Sequence, residues 1–345
     1  MTAGRACVVH GAGDLRVEER DPAGPGPGEV EIAVAYGGIC GSDLHYYHRG
    51  AVGDFTVREP MVLGHEVAGH VAALGAGVPG PATGVPVAIH PATPCDECRE
   101  CREGRRNVCA RSRYLGSAAH FPHVEGGFTR RLVVPAAQVR VLPPGLALDR
   151  AVLAEPLSVA VHAVRRAGDV QGKRVLVTGA GPIGCLVVAV LRHAGAVEVV
   201  VSDLLPEPLK VAELVGATST VRAGRPDDPA WPADVDVAIE ASGAPAGLAT
   251  CVARVRRGGT VVLLGLLPPG ETGFPGNVVV TREIVLKGAF RFDTEFDDAL
   301  SLLAGGLPVD PVVTHRFPLA EALTAFGTAG DRTVASKVLL DFTTP

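Results

Sequence analysis

The chain has 345 residues, with 32 Lys and Arg against 37 Asp and Glu and a formal net charge of −5 at pH 7, so it lacks the basic excess of a nucleic-acid-binding surface. Apolar residues make up 47% and charged residues 20%, which excludes a disordered chain, and the length exceeds one ordinary core and predicts two domains. The 43 glycines and 28 prolines follow no G-X-Y period and form no biased tract, so they read as turns rather than as collagen or linker.

Residues 1–22 contain no apolar core of a secretory signal, being broken by Arg5, His10, Asp14, Arg16 and Glu18. The expected location is therefore the cytoplasm. Up to about residue 150 the pattern is one of short β-like runs, at 30–36, 85–90 and 129–134, between Gly/Pro-rich turns. At 151–166 it changes to a helix, with Pro156 tolerable near the helix start. Strand-like and helix-like segments then alternate: strands at 174–178, 197–202, 235–240, 260–264 and 284–287, and helices at 183–193, 207–215 and 246–256. Continuous β-branched runs between helices predict a parallel sheet covered on both faces. A further apolar strand is expected around 278–280, placed to pair across subunits of a homo-oligomer. The last fifty residues, with Pro308, Pro311 and Pro318 around short β runs, resemble the first half, so the chain is expected to return to its first domain. The expectation is an α/β protein: a β-rich domain of residues 1–150 and 292–345, and a doubly wound parallel-sheet domain of residues 151–291. The uncharged run 175–191 is 17 residues long and carries three glycines and a proline. A membrane helix needs roughly 20 apolar residues, so none is expected.

Gly179-Ala-Gly181-Pro182-Ile183-Gly184 follows a strand and opens a helix, the context in which G-x-G-x-x-G holds a dinucleotide. The first glycine permits the tight turn, the second lets the backbone approach a pyrophosphate, and the third lets helix and strand pack closely. The helix N-terminus supplies free N–H groups to the phosphates. Asp203 ends the second strand, 19 residues after Gly184, where a carboxylate accepts from the adenosine ribose. Between Asp203 and Leu209 no Arg or Lys is available for a 2′-phosphate, so NAD is expected over NADP. Ser242 and Leu266, beyond the fourth and fifth strands, are expected on the cofactor rim.

Cys95, Cys98, Cys101 and Cys109 give C-x₂-C-x₂-C-x₇-C, a spacing that suits a closed tetrahedral zinc site without an open position. The arginines at 99, 102, 105 and 106 are expected to favour the thiolates. A structural zinc follows. Cys40 within Gly-Ile-Cys40-Gly-Ser42-Asp43-Leu-His45, and His65-Glu66 after Gly64, offer a thiolate and an imidazole with a carboxylate beside them, an incomplete zinc sphere that leaves room for substrate. Alone, each element is ambiguous, because single cysteines and histidines are more often core or surface residues.

Taken together and in this order, the Gly38–His45 run, the Gly64-His-Glu66 element, the four-cysteine lobe and the glycine turn resemble the zinc-containing medium-chain alcohol and polyol dehydrogenases across essentially the whole chain. The resemblance implies a GroES-like catalytic domain and a Rossmann coenzyme domain. Cys40, His65 and Glu66 would then surround a catalytic zinc, with Glu155 of Ala154-Glu-Pro156 at a further ligand position, and NAD would serve as cofactor in a dimer or tetramer. Within the family, the stretches 42–50, 60–66 and 290–296 most resemble the L-idonate 5-dehydrogenase branch, which implies a small polyol or aldonate as substrate. An alcohol donates hydride readily only once its proton is lost, and a zinc ion beside the oxygen lowers the cost of that loss. Ser42 matches the first relay hydroxyl and His45 an outer relay imidazole, while Asp43 is a candidate acceptor orienting His65. A substrate carboxylate would call for a cation, with Arg49, Arg291 and His48 as candidates and Tyr46 and Tyr47 as partners for hydroxyls. Phe292 stands where sorbitol dehydrogenases often carry tyrosine, which removes one hydroxyl from that set.

Overall fold

The computed structural model describes residues 4–20, 23–225 and 228–344. Two large sheets organise the chain. In the seven-stranded sheet, Glu29–Gly38 lies at the branch. Glu66–Leu74 pairs along its whole length on one side, while on the other Arg131–Pro135 pairs with its first half and Lys337–Asp341 with its last three residues. Pro86–Ile89 and Val139–Val141 extend one edge, and Val313–Pro318 the other. The final strand therefore comes back from the far end of the sequence and sets Leu339 opposite Gly38, two residues before Cys40.

The second sheet has six strands, all parallel, in the order Ser219–Arg222, Glu198–Asp203, Arg174–Thr178, Val235–Glu240, Val255–Leu263 and Val285–Gly288. Numbered along the chain this is 3-2-1-4-5-6, the doubly wound order whose ligand crevice lies at the carboxyl ends of the first and fourth strands, where the winding reverses. The central strands are buried on both faces, which is why they read as unbroken Val/Ile/Leu runs rather than as alternation.

Several segments differ from the sequence expectation. The 151–166 helix is two helices, Leu148–Ala151 and Ala154–Ala167. Pro156 falls in the first turn of the second, where an N–H is not yet needed. Ser219–Arg222 is a short edge strand too polar to stand out by pattern. Residues 278–280 lie in the helix Gly276–Thr281, so the expected strand there is corrected: Pro275 and Gly276 give the run a helical start and six residues suffice to close it. The last fifty residues hold the helices Glu295–Ala304 and Ala322–Gly330 as well as strands. The first of these packs Phe296, Leu300 and Leu303 into the core shared by the helices Ala154–Ala167 and Pro182–His193, whereas Phe326 and Leu340 join the core around Ile32, Met61 and Phe128. Among the described residues no helix is long and apolar enough to cross a membrane.

Candidate metal centres and nucleotide cleft

The strand Glu29–Gly38 runs into Cys40, which in extended conformation caps the helix Gly41–Arg49. Asp43, three residues on and fully buried, accepts the Cys40 N–H at 2.9 Å with one oxygen and the Gly64 N–H at 3.1 Å with the other. One carboxylate thus pins the helix start to the 64–66 turn and sets Cys40 beside His65. Gly64 has φ of 96°, and a Cβ there would stand 2.2 Å from the Phe128 ring, so only glycine turns the chain at this point. The sulfur of Cys40, a ring nitrogen of His65 and a carboxylate oxygen of Glu66 lie within 4.8 Å of one another. Thiolate, imidazole and carboxylate are the donor set zinc accepts, and three of them leave a fourth position open.

Charge balance around this cluster depends on groups outside its motifs. Lys337, 2% exposed, donates through Nζ to both oxygens of Glu66, at 2.7 and 2.8 Å, and to the Ile39 carbonyl at 3.0 Å. Burial raises the Glu66 carboxyl, and Lys337 opposes that rise. For His65 burial works against the charged form, but Asp43, whose Oδ1 is 3.9 Å from Nδ1, and the Cys40 sulfur outweigh it and push the imidazole up to about 10. Glu155, at the start of its helix, is buried and accepts the Tyr114 hydroxyl at 2.6 Å. Its charge reaches His65, Glu66 and Lys337. The Arg291 guanidinium lies over the Tyr114 ring at 4.1 Å. Its φ of 51° is unusual for a non-glycine residue.

The second cluster forms on a lobe after Pro94. The four sulfurs of Cys95, Cys98, Cys101 and Cys109 also lie within 4.8 Å of one another, with separations of 3.5 Å for Cys95–Cys109, 3.8 Å for Cys98–Cys109 and 4.0 Å for Cys95–Cys101. A tetrahedron of Zn–S bonds near 2.3 Å has edges of about 3.8 Å, so a zinc ion fits without rearrangement. Among the four thiols Cys95 is held low, first by the Glu97 amide and then by the Cys98 amide and neighbouring thiols, while Cys98 and Cys101 are pushed up by burial and their thiol neighbours. Backbone amides, rather than the arginines invoked from sequence, lead the lowering at Cys95. Arg99 and Arg106 are taken up by Glu103 and Asp96; the basic group that does act on Cys95 is Arg111. All eight cysteines are free, with Cys7, Cys185 and Cys251 buried as packing residues.

At the nucleotide turn the three glycines do different work. A Cβ on Gly184 would stand 1.9 Å from the Gly179 carbonyl oxygen, and one on Gly179, whose φ is 93°, would meet the Ser242 backbone at 2.7 Å. A Cβ on Gly181 would meet nothing within 4 Å. Gly179 and Gly184 are glycine for packing, while Gly181 fronts open space at the N-terminus of the helix Pro182–His193, where a pyrophosphate fits. Pro182 occupies the first helical position, and Ile183 follows it. Asp203 Oδ2 accepts the Ala180 N–H at 2.8 Å and Oδ1 the Leu205 N–H at 3.1 Å. Ser242 hydrogen-bonds Glu240 through both its amide and its hydroxyl, and Leu266 is 72% exposed on the loop beside Gly243.

The remaining sequence candidates spread more widely. Ser42 is half-buried and His45 exposed, three residues apart on one helix face. Partial burial, then Arg49 and His48, hold the His45 imidazole below its ordinary range. Tyr46 is 3% exposed; its hydroxyl oxygen accepts the Ala118 N–H at 3.0 Å and also meets the Ser117 side chain. Arg49 is exposed at the helix end. Phe292 is buried against His90 and Phe296. Sequence reasoning missed Tyr114, Lys337 and Arg332, whose Nη2 is 2.6 Å from Asp203 Oδ2. Only Lys337, a lone charge opening an apolar strand, left a trace in the sequence.

Residues 26–144 match the model of the alcohol dehydrogenase GroES-like domain, and residues 182–305 match that of the zinc-binding dehydrogenase. The chain is 40% identical to L-idonate 5-dehydrogenase (NAD(P)(+)) of Escherichia coli (strain K12) over 98% of each chain. It is 40% identical to the sorbitol dehydrogenase of Gallus gallus over 94% of this chain and 92% of that one. The crystal structure of the E. coli L-idonate 5-dehydrogenase is similar with a TM-score of 0.92, at 39% identity and 99% coverage of both chains.

Proposed function

The chain belongs to the zinc-binding dehydrogenase family that carries an alcohol dehydrogenase GroES-like domain, and from that premise we propose that it oxidises a secondary alcohol of a small polyol or aldonate, L-idonate to 5-keto-D-gluconate first among them, by hydride transfer to NAD. The observation that carries this reading is the three-donor cluster of Cys40, His65 and Glu66, which keeps a coordination position for substrate. Residues 1–150 form the zinc-binding domain and residues 151–291 the nucleotide domain. The return segment 292–345 gives one helix to the core of the second and two strands to the sheet of the first.

Zinc held at the open cluster would supply Lewis acidity that eases deprotonation of the substrate hydroxyl, and NAD on the glycine turn would accept the hydride. Asp43 holds Cys40 and His65 in mutual register. Lys337 fixes the Glu66 carboxylate and compensates its buried charge. Ser42 takes the hydroxyl proton and His45, exposed and with its imidazole held below its ordinary range by its surroundings, passes it to solvent. Gly181 admits the pyrophosphate, Asp203 accepts from the adenosine ribose, and Ser242 and Leu266 border the nicotinamide. Arg291, held over Tyr114 beside the open cluster, meets the substrate carboxylate, with Tyr46 and Arg49 as further contacts. Glu155 completes the electrostatic surround or enters the metal sphere. The four-cysteine lobe holds a second, structural zinc.

The eight unpaired cysteines support a reducing cytoplasm, and exposed Val280 and Val285 near the edge strand Val285–Gly288 support a homodimer or homotetramer. Steady-state rates with L-idonate, sorbitol, xylitol and threonine test the substrate: the proposal expects the highest kcat/KM with L-idonate. A preference for sorbitol or xylitol would select the polyol branch. No turnover with one zinc per chain would mark a non-catalytic relative. Comparable Michaelis constants for NAD and NADP would contradict the preference for NAD.

A further inference from the structure

Asp203 is the group that disfavours a 2′-phosphate at the adenosine end of the cofactor, because a carboxylate there repels it. The structure brings to that carboxylate a cation the local sequence lacks. Arg332, in the turn after the helix Ala322–Gly330, reaches across from 129 residues away and places Nη2 at 2.6 Å from Asp203 Oδ2. Asp203 is 97% buried at its side chain, while the Arg332 side chain is half-exposed. A carboxylate has about four acceptor sites. Ala180, Leu205 and Arg332 use three of them, and one remains on Oδ1 for a ribose hydroxyl. A guanidinium carries five N–H donors in a rigid fork suited to phosphate. Arg332 spends one on Asp203 and faces solvent with much of the rest. The field of the pair extends into the nucleotide domain, since the buried Cys185 thiol feels both partners with opposite sign. A second arginine stands nearby: Arg222 on the neighbouring strand is the register partner of Asp203, and its buried Nε has no partner among the described residues.

We propose that Arg332 tempers the cofactor discrimination of this chain: paired with Asp203, it offsets part of the carboxylate's charge toward a 2′-phosphate and donates to that phosphate itself, so that NAD stays preferred and NADP is admitted as a weaker second cofactor. The inference rests on the reading that the turn Gly179–Gly184 holds the dinucleotide. It adds a specificity-determining residue that the nucleotide motif does not contain, contributed by the return segment rather than by the parallel-sheet domain.

The test uses the zinc-loaded full chain and two ligands that isolate the adenosine end, ADP-ribose and 2′-phospho-ADP-ribose, with dissociation constants from titration calorimetry. Arg332→Ala should weaken 2′-phospho-ADP-ribose about tenfold or more, the scale of a lost charge-assisted hydrogen bond, and ADP-ribose less than about threefold. Arg332→Lys should recover part of the loss, because it restores the charge without the fork. The same ordering should appear in the NADPH to NADH ratio of KM. Equal weakening of both ligands, or no change in either, would overturn the proposal and reduce the pair to a bridge between chain segments. Failure of the parent protein to bind either ligand would instead overturn the nucleotide-turn reading, and the proposal with it.

Discussion

Lys337→Met tests the electrostatic construction of the open cluster. The parent side chain is buried and makes three hydrogen bonds, two of them to a carboxylate that is itself 0% exposed. Methionine fills most of the same volume, so packing changes little, but Glu66 and the Ile39 carbonyl lose their donor. Breaking a buried ion pair from one side costs about 3–5 kcal/mol, because the remaining charge has no compensation. For a chain of this length the entropy of unfolding converts that loss into a fall of about 4–7 °C in the melting midpoint. Thermal melts followed by far-UV circular dichroism on the metal-loaded protein measure it. The double variant Glu66→Gln, Lys337→Met should recover more than half of the loss, since it removes the orphaned charge. Exposed Arg16, paired with Asp14 on the surface, gives the contrast: Arg16→Met should leave the midpoint unchanged. A Lys337→Met midpoint within 1 °C of the parent would refute the reasoning.

The glycine turn predicts a separation of roles. Gly181→Ala should fold with an unchanged midpoint, since its Cβ has open space, yet bind NADH at least about tenfold more weakly because the methyl occupies the pyrophosphate's approach. Gly184→Ala, with its Cβ driven onto the Gly179 carbonyl, should lower the midpoint itself. Cys98→Ser should remove one zinc per chain and destabilise the protein while leaving the open cluster's metal in place, as metal analysis and melting together would reveal. Glu295 supplies a pH prediction. Burial tends to raise its carboxyl, but His162 at 3.0 Å and the Asp293 amide hold it down to about 2 from an ordinary 4.5. A depressed carboxyl contributes stability that is present above its unfolded value and lost as pH falls through its folded one, here up to about 3 kcal/mol. The stability gap between parent and Glu295→Gln should therefore close as pH falls from about 4.5 to about 2.

Local chemistry explains which features were legible in the sequence. The strands Arg174–Thr178 and Val235–Glu240 stood out because burial on both faces demands uninterrupted apolar runs. The four cysteines and the glycine turn stand out because a metal or a phosphate would impose spacing on neighbours in the chain. Ser219–Arg222, short and at the sheet edge, carries no such demand, and residues 278–280 have strand-like composition overridden by a helical start at Pro275–Gly276. Long-range partners escaped most completely. Lys337 reaches Glu66 across 271 positions and Arg332 reaches Asp203 across 129, and no local pattern specifies a contact that only the return of the final segment creates. The attribution of thiolate stabilisation to nearby arginines failed for a related reason: charge in the sequence does not say where a backbone amide will point.

The central claim is that Cys40, His65 and Glu66 hold the metal on which hydride transfer depends, and zinc content measured alongside NADH formation on the same preparations tests it most directly. The account predicts two zinc ions per chain in the parent and one in Cys40→Ser, with turnover reduced about a thousandfold or more, the scale of losing several kcal/mol of stabilisation from the metal. Full turnover in Cys40→Ser with zinc still at two per chain would contradict it.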